Sequence, residues 1–296
     1  MPYILNNSAM ILGTEFFGNA GALRYNFVGI GGEQSKLKWL THYFLEWPAE
    51  KLEPLFNKIF LKILNPWYGQ TVIQNIFPFR DHDPSKTFFP DIFDKAFNLL
   101  GISSDDQTII PEETKEEMIN PYWYLKHKFP SHYGFSMEYP ESICHGDLNM
   151  QNILLDEQMN VYLIDFSETR PRAVVSDFAR LEAVFMLEFS PLETTDDFLN
   201  MVELMREIYN TDRLDQCPEG HGIRNEAFKR NVRLTRLMRQ YAFASAGNNP
   251  DPIPYTIALL EWVLPVVNYV QASLPQKKLS MIAASFLCKK LMEWID

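Results

Sequence analysis

Three polar side chains between Cys144 and Thr169 have the types and the spacing for metal-assisted chemistry. The segment reads CHGDLNMQNILLDEQMNVYLIDFSET, and Asp147, Asn152 and Asp165 stand beside its apolar runs. NILLD and VYLIDF are β-like runs joined by a polar turn, which predicts a hairpin. A hairpin brings Asn152, at the start of its first strand, close to Asp165, at the end of its second strand.

A carboxylate and an amide oxygen are hard ligands, so Asn152 and Asp165 could hold Mg²⁺ with water or phosphate at its other positions. Asp147 could then accept a proton from a hydroxyl that approaches the metal-bound phosphate. The plain alternative is that all three residues serve as turn and cap residues, which Asp and Asn favour. Their joint spacing favours the chemical interpretation. A zinc site at His145 and Asp147 is disfavoured because no second His or Cys stands at ligand spacing.

The elements around this segment predict an α+β fold. Before Gly31, short β-like runs (YIL, AMILGTEFF, ALRYNFVGI) alternate with turn residues, and GIGGEQ is a flexible break. From Ser176 onward, apolar residues recur with helical spacing in five segments. We therefore expect a β-rich portion over residues 1–32 and a large, mainly helical portion over 33–296 that contains the polar segment 143–169.

Composition narrows the functional classes. The chain has 296 residues, with 27 Lys plus Arg against 38 Asp plus Glu, a net charge of −11. Such an acidic chain is not expected to bind nucleic acid or anionic membranes. The three cysteines, Cys144, Cys217 and Cys288, make no disulfide framework and suit a reducing cytoplasm, which is the predicted location. The sequence contains neither a signal-peptide pattern nor an apolar run of about 18 residues, so no membrane span is expected.

The polar segment resembles the catalytic core of the kinase-like phosphotransferases. HGDLNMQN fits the family pattern H-G-D-x-x-x-x-N, and LIDF fits the metal-binding motif that follows it. Gly146 stands where protein kinases usually carry Arg, which points to the aminoglycoside phosphotransferase and choline kinase branch. The arrangement also resembles a bacterial subgroup known as ternary-complex-associated domains. The resemblance is strong over residues 143–183, and it is only topological over residues 20–70 and the C-terminal helices.

The resemblance implies a protein-kinase-like fold with a reduced β-rich N-terminal lobe and a large helical C-terminal lobe. It implies an ATP-Mg²⁺-dependent phosphotransferase that moves the γ-phosphoryl group to a hydroxyl of a small molecule. Asp147 would be the catalytic base, and Asn152 and Asp165 would hold Mg²⁺ against the nucleotide. His145 would support the catalytic loop through hydrogen bonds, and Asp177 would brace that loop.

The N-terminal residues depart from the family pattern. The first lysine is Lys36, after the predicted hinge, and Gly29, Gly31 and Gly32 form no G-x-G-x-x-G loop, so no nucleotide-clamping lysine is identified. The chain is expected to begin partway through the small lobe and to bind ATP-Mg²⁺ with a Kd of about 0.1 mM or weaker. We also expect an incomplete sheet whose exposed edge could take a protein partner. The alternative function is a catalytically silent kinase-like binding module in a bacterial signalling assembly.

A basic helical segment, KRNVRLTRLMR, carries Lys229, Arg230, Arg233, Arg236 and Arg239. The sequence favours a solvated helix face for these residues. The alternatives are that they face an anionic substrate or an acidic patch on the protein.

Overall fold

The computed structural model describes residues 11–17, 20–25, 37–87, 89–220 and 222–296. The helices are α1 Leu40–Phe44, α2 Ala49–Lys58, α3 Asn65–Tyr68, α4 Pro78–Asp81, α5 Pro84–Thr87, α6 Ile92–Leu100, α7 Pro121–Trp123, α8 Ser176–Ala183, α9 Thr195–Tyr209, α10 Glu226–Ser245, α11 Ile253–Val263 and α12 Leu274–Ile295. The strands are β1 Ile11–Phe17, β2 Ala20–Tyr25, β3 Lys38–Trp39, β4 Val72–Ile76, β5 Thr108–Ile109, β6 Met118–Ile119, β7 Met137–Cys144, β8 Ile153–Leu155, β9 Val161–Leu163 and β10 Arg170–Ala173. Small antiparallel sheets and many helices make this an α+β fold, as predicted.

The N-terminal portion forms a β-hairpin. Strands β1 and β2 pair antiparallel, with Phe17 opposite Ala20 at the closed end. The run YIL, the predicted hinge GIGGEQ and Lys36 lie outside the described residues. The prediction that no lysine clamps the nucleotide therefore stays a prediction, as does the division of the chain at residue 32.

The hairpin predicted inside the polar segment is confirmed. Strand β8 pairs antiparallel with β9, with Ile153 opposite Leu163 and Leu155 opposite Val161. Between the strands, the Asp156 carboxylate accepts the backbone N–H groups of Gln158 and Asn160 at 2.9 and 2.8 Å. A carboxylate that bonds its own following backbone fixes a tight turn, so this hairpin is specified locally.

A second three-stranded sheet has the order β10-β7-β4 and leads into the polar segment. Glu141, in β7, lies opposite Val72 of β4 and Ala173 of β10. The amino-acid pattern of residues 66–90 and 103–140 predicts mostly irregular structure, and β4 and the first half of β7 correct that prediction. Their pairing joins segments far apart in the chain, and Pro140 inside β7 weakens the local strand pattern.

The five helical segments predicted after Ser176 appear as α8 to α12. Pro265 inside the fourth segment predicts a kink, but α11 ends at Val263 and Pro265 lies in the 3₁₀ turn Leu264–Asn268 that follows it. Helix α8 packs against α10 and α11, and each of its residues is buried.

Among the described helices, none combines the length and the apolar character needed to cross a bilayer. All three cysteines are free thiols.

The prediction of a solvated face for the basic residues of α10 is confirmed for Lys229 and Arg233, which are exposed, and wrong for Arg230 and Arg239. Arg230 and Arg239 are only 8% and 6% exposed. Both Arg239 Nε and Nη2 donate to the Glu182 carboxylate at 2.9 Å, and Arg233 donates to Glu53 at 2.8 Å. The alternative of an acidic patch on the protein accounts for Arg233 and Arg239, whereas Arg230 donates to the backbone oxygen of Phe44 at 2.9 Å. A cavity of about 610 Å³ beside α10 includes Lys229, Arg233 and Arg236 in its lining, each paired with a glutamate, and the polar segment does not line it.

Candidate active site

The loop between β7 and β8 is held at its start by Asp177, in the first turn of α8. One Asp177 carboxylate oxygen accepts the backbone N–H of His145 at 2.6 Å, and the other accepts that of Gly146 at 2.9 Å. The Tyr68 hydroxyl also donates to this carboxylate. Burial, together with the negative charge of Asp177, raises the pKa of Tyr68 well above its usual value, so the phenol stays a donor. Asp177 is 1% exposed, so water does not compete for these hydrogen bonds, and each is electrostatically stronger than it would be in solvent.

Glycine at position 146 has a structural reason. Its φ is +87°, and a Cβ there would lie 2.3 Å from the backbone oxygen of Glu168. Real Cβ atoms do not approach an oxygen so closely, and side-chain-bearing residues rarely adopt this φ. The loop therefore passes close to the backbone of Glu168 only because residue 146 has no side chain.

His145 is buried and connects the loop to the end of β9. Its Nε2 lies 2.9 Å from the carbonyl oxygen of Ile164, and its ring packs against Phe166 with centroids 4.9 Å apart. Because a carbonyl only accepts, Nε2 carries the proton. Nδ1 has no hydrogen-bond partner among the described residues. The imidazole thus holds together the two segments that carry Asp147 and Asp165.

Asn152 fixes the C-terminal end of the loop between β7 and β8 through hydrogen bonds. Its Nδ2 donates to the backbone oxygen of Asp147 at 2.8 Å and lies 3.5 Å from that residue's Oδ2. Its own backbone oxygen accepts the N–H of Ile164 at 3.1 Å, which extends the β8–β9 pairing by one step. Asn152 therefore lies opposite Ile164, and Asp165 is the next residue. With the amide nitrogen engaged, the amide oxygen is the part of Asn152 that remains for a ligand.

Asp165 has a left-handed backbone, with φ of +61°, and an exposed side chain. Its Oδ1 accepts the Ser167 hydroxyl at 2.8 Å. Across the described ranges, no three His, Cys, Asp or Glu side chains lie close enough together to hold a metal ion. Asn152 and Asp165 would be two ligands, a donor set that fits Mg²⁺, which commonly takes one or two protein oxygens and fills its octahedron with water and phosphate.

Asp147 lies in the middle of the loop and contacts a buried arginine. Its Oδ1 accepts Asn149 Nδ2 at 3.1 Å and Arg180 Nε at 3.2 Å. Arg180 also lies 3.3 Å from Glu188, and its guanidinium stacks 4.3 Å from the Trp262 ring centroid. Burial lowers the pKa of Arg180, but the charges around it, Glu188 and Asp147 included, outweigh burial and raise it above its ordinary value. Arg180 is therefore a permanent cation beside the carboxylate.

The sequence analysis missed Arg180, although a signal for it was present. Asp177 and Arg180 stand three residues apart in SDFARLEA, so they share one face of a helix. A helix that presents Asp177 to the loop must present Arg180 to the same region. The spacing alone, however, does not show which loop residue Arg180 contacts.

A cavity of about 280 Å³ opens beside Asp147. Its polar lining includes Asp147, Asn149, Glu168, Arg180, Glu188 and Gln271, and its aromatic lining is Phe89, Phe189, Trp262 and Tyr269. Asn152 and Asp165 do not line this cavity. Hydrogen bonds thus connect Asp177 of α8 to the loop that carries His145, Asp147 and Asn152, and of these four residues Asp147 alone lines the cavity.

Comparison with known proteins gives one family. Residues 106–261 match the family described as ternary complex associated domain 9, and this range contains β7 to β10, α8 and the whole polar segment. No curated protein matches the chain. Because the match covers more than half of the 296 residues, the chain belongs to the ternary complex associated domain 9 family.

Proposed function

We propose that this protein is a kinase-like phosphotransferase that moves the γ-phosphoryl group of ATP to a hydroxyl of a small molecule, with Asp147 as the base. The observation that carries the proposal is the position of Asp147. It lies in a loop fixed by Asp177 and Asn152, and its carboxylate, 31% exposed, opens into a cavity of about 280 Å³. A preorganised carboxylate facing a ligand-sized space is what general-base catalysis requires.

The two oxygens of Asp147 have different surroundings. Oδ1 already accepts hydrogen bonds from Asn149 and Arg180, whereas Oδ2 has, within the described part of the chain, only the long 3.5 Å approach of Asn152. Oδ2 is therefore the oxygen that would accept the proton of an acceptor hydroxyl. The Arg180 contact fixes the orientation in which Oδ2 is presented.

Asn152 and Asp165 would hold Mg²⁺ on the nucleotide side of the loop. When bound, the ion would neutralise phosphate charge as the phosphoryl group leaves. The left-handed backbone of Asp165 supports a functional role, since non-glycine residues rarely adopt this conformation without a reason.

The cavity favours a neutral or cationic acceptor. Asp147, Glu168 and Glu188 place three carboxylates in its lining against the one guanidinium of Arg180. That guanidinium is already shared between Asp147 and Glu188. An anionic acceptor would therefore meet net repulsion, while the aromatic side chains offer packing surface to the remainder of the molecule.

A second candidate function is a catalytically silent module that binds a protein partner. Two donors already engage Asp147 Oδ1, which would also suit a carboxylate with a structural role. The family name describes domains associated with a ternary complex, which supports a binding function. An exposed edge of the N-terminal hairpin would be one place for such a partner.

The deciding experiment measures ATP-Mg²⁺ binding by calorimetry and phosphoryl transfer by ³¹P NMR with a panel of neutral and cationic alcohols. We expect a Kd of about 0.1 mM or weaker. Asp147→Asn should lower turnover about 10²- to 10⁴-fold with nucleotide affinity nearly unchanged. Asp165→Asn, which keeps the side-chain size, should remove the Mg²⁺ dependence of binding. Asp215→Asn, an exposed aspartate paired with Arg213, is the control and should change neither.

Three results would each contradict one part of the proposal. Binding without any transfer across the panel favours the silent module. Equal loss of nucleotide binding in Asp147→Asn assigns that residue a structural or metal role. Micromolar affinity would show that another residue clamps the phosphates and that the prediction of weak binding is wrong.

A further inference from the structure

Arg172, in β10, is a buried cation with unmet hydrogen-bonding capacity. Its side chain is 3% exposed, and Nη1 lies 3.4 Å from Glu261 Oε2. Nε and Nη2 have no hydrogen-bond partner among the described residues. Glu168 Oε2 lies 3.8 Å from Nη2, beyond hydrogen-bonding distance. Buried donors are nearly always satisfied in native proteins, so two unpaired nitrogens on one guanidinium indicate an acceptor from outside the chain.

Arg172 lines a cavity of about 300 Å³, which we call the basic cavity. Its cations are Arg80, Lys86, Arg170 and Arg172, and its carboxylates are Asp81, Asp83 and Glu261. Arg170 is exposed and makes no ion pair with any residue that the structure describes. A cavity with more cations than carboxylates stands out in a chain whose net charge is −11.

The carboxylates of the basic cavity are already engaged. Asp83 accepts the backbone N–H and the hydroxyl of Ser85 at 2.8 and 2.6 Å, and it also accepts the Tyr133 hydroxyl. Glu261 is bonded to His82 at 2.7 Å and to Arg172. Because Arg80 pairs with Asp81 and Arg172 with Glu261, the cations Arg170 and Lys86 remain against the single carboxylate of Asp83.

We propose that the basic cavity binds a phosphate group, carried either by inorganic phosphate or by a small phosphate monoester. Phosphate oxygens would accept hydrogen bonds from Nε and Nη2 of Arg172, a planar donor pair that matches two oxygens of one phosphate. Arg170 and Lys86 supply the further positive charge that a dianion requires. The volume admits a phosphate and a small attached group.

Binding requires a small movement of Arg172. Its Nε and Nη2 are closed to solvent in this conformation, so the guanidinium must turn toward the cavity to meet the ligand. The 3.4 Å contact with Glu261 is long enough to be exchanged for a shorter bond to phosphate, and Glu261 keeps its 2.7 Å contact with His82. This site is separate from the cavity beside Asp147, and the proposal does not depend on phosphoryl transfer.

The test is calorimetric titration of the whole chain with inorganic phosphate, with phenyl phosphate and, at matched ionic strength, with chloride. EDTA is present throughout, so that a metal-dependent nucleotide site contributes nothing. We expect saturable binding of at least one phosphate probe and none of chloride. Tighter binding of phenyl phosphate identifies a monoester site, and tighter binding of inorganic phosphate identifies a free-anion site; both outcomes support the proposal.

Variants locate the binding. Arg172→Gln and Arg170→Gln should each weaken phosphate affinity about tenfold or more, because each removes a charge-assisted bond. Arg170 is exposed, so its variant stays informative even when Arg172→Gln fails to fold. Arg213→Gln, an exposed arginine outside the basic cavity, should change affinity less than twofold. Absence of saturable binding overturns the proposal, as does equal weakening by Arg213→Gln and Arg170→Gln.

Discussion

Arg180 Nε lies 3.2 Å from Asp147 Oδ1, so a buried arginine of α8 holds the carboxylate proposed as the base. Three residues earlier on the same helix, Asp177 holds the backbone at His145 and Gly146. One face of α8 therefore fixes both the backbone entering the loop and the side chain at its centre. Because α8 is buried along its whole length, this support is rigid.

Replacing Arg180 should weaken the fold and free Asp147. Arg180→Gln leaves Asp147 and Glu188 without their shared cation, and we expect a loss of about 2 kcal/mol in the free energy of unfolding, measured in urea. The partners are each about 30% exposed, so water limits the loss. Arg206→Gln, whose ion pair with Glu116 lies at the surface, should lose less than about 1 kcal/mol. Equal losses in the two variants would show that the Arg180–Asp147 contact stabilises the fold no more than a surface ion pair does.

Replacing Asp177 should destabilise the loop more than replacing Tyr68. Asp177→Ala leaves two buried backbone N–H groups without an acceptor. We expect a loss of about 3 kcal/mol in the free energy of unfolding and faster amide hydrogen exchange at His145 and Gly146. Tyr68→Phe removes one donor to the carboxylate and leaves both backbone bonds, so its loss should be about 1 kcal/mol. Unchanged exchange at the two amides in Asp177→Ala would refute the bracing role.

Gly146→Ala and Gly101→Ala separate a steric clash from backbone strain. Both glycines have positive φ, +87° and +69°, but a Cβ at position 146 meets the Glu168 oxygen at 2.3 Å, whereas a Cβ at 101 has nothing within 4 Å. Gly101→Ala should therefore cost about 1 kcal/mol of stability, from strain alone. Gly146→Ala should cost clearly more, about 3 kcal/mol, because the loop must move away from Glu168. Urea melts that give the two variants the same stability would contradict this account.

Glu261 should make the stability of the fold depend on pH in the acidic range. Burial raises the pKa of its carboxyl, but His82, Arg172 and Arg170 together outweigh burial and bring the pKa below its usual 4.5. A lowered folded-state pKa means that Glu261 stabilises the fold above pH 4.5, and that this stabilisation is lost as the pH falls through the folded-state pKa.

The comparison is between wild type and Glu261→Gln in urea from pH 7 downward. The variant should be less stable at pH 7, and the gap should narrow once the pH falls below about 4.5. Glu157→Gln, in an exposed turn, should show no such gap. A gap that stays constant through the acid range would mean that the Glu261 charge does not contribute.

The sequence by itself determined what depends on near neighbours in the chain. The β8–β9 hairpin follows from two apolar runs and from Asp156, which bonds the N–H groups two and four residues further on. Helices α8 to α12 follow from helical spacing of apolar residues, and the interval from Asp147 to Asn152 is a property of one loop. In each case the physical cause, a turn or a helical face, lies within a few residues, so the pattern is visible locally.

Only the tertiary structure decided which distant groups meet. Tyr68 reaches Asp177 across 109 positions, Arg172 reaches Glu261 across 89, and β4 pairs with β7 although neither sequence pattern indicated it. Arg180 could be assigned to the same helix face as Asp177, but its choice of Asp147 depends on how α8 packs under the loop. Such contacts depend on the shape of a shared core, which is set by all the packed elements together and by no short segment alone.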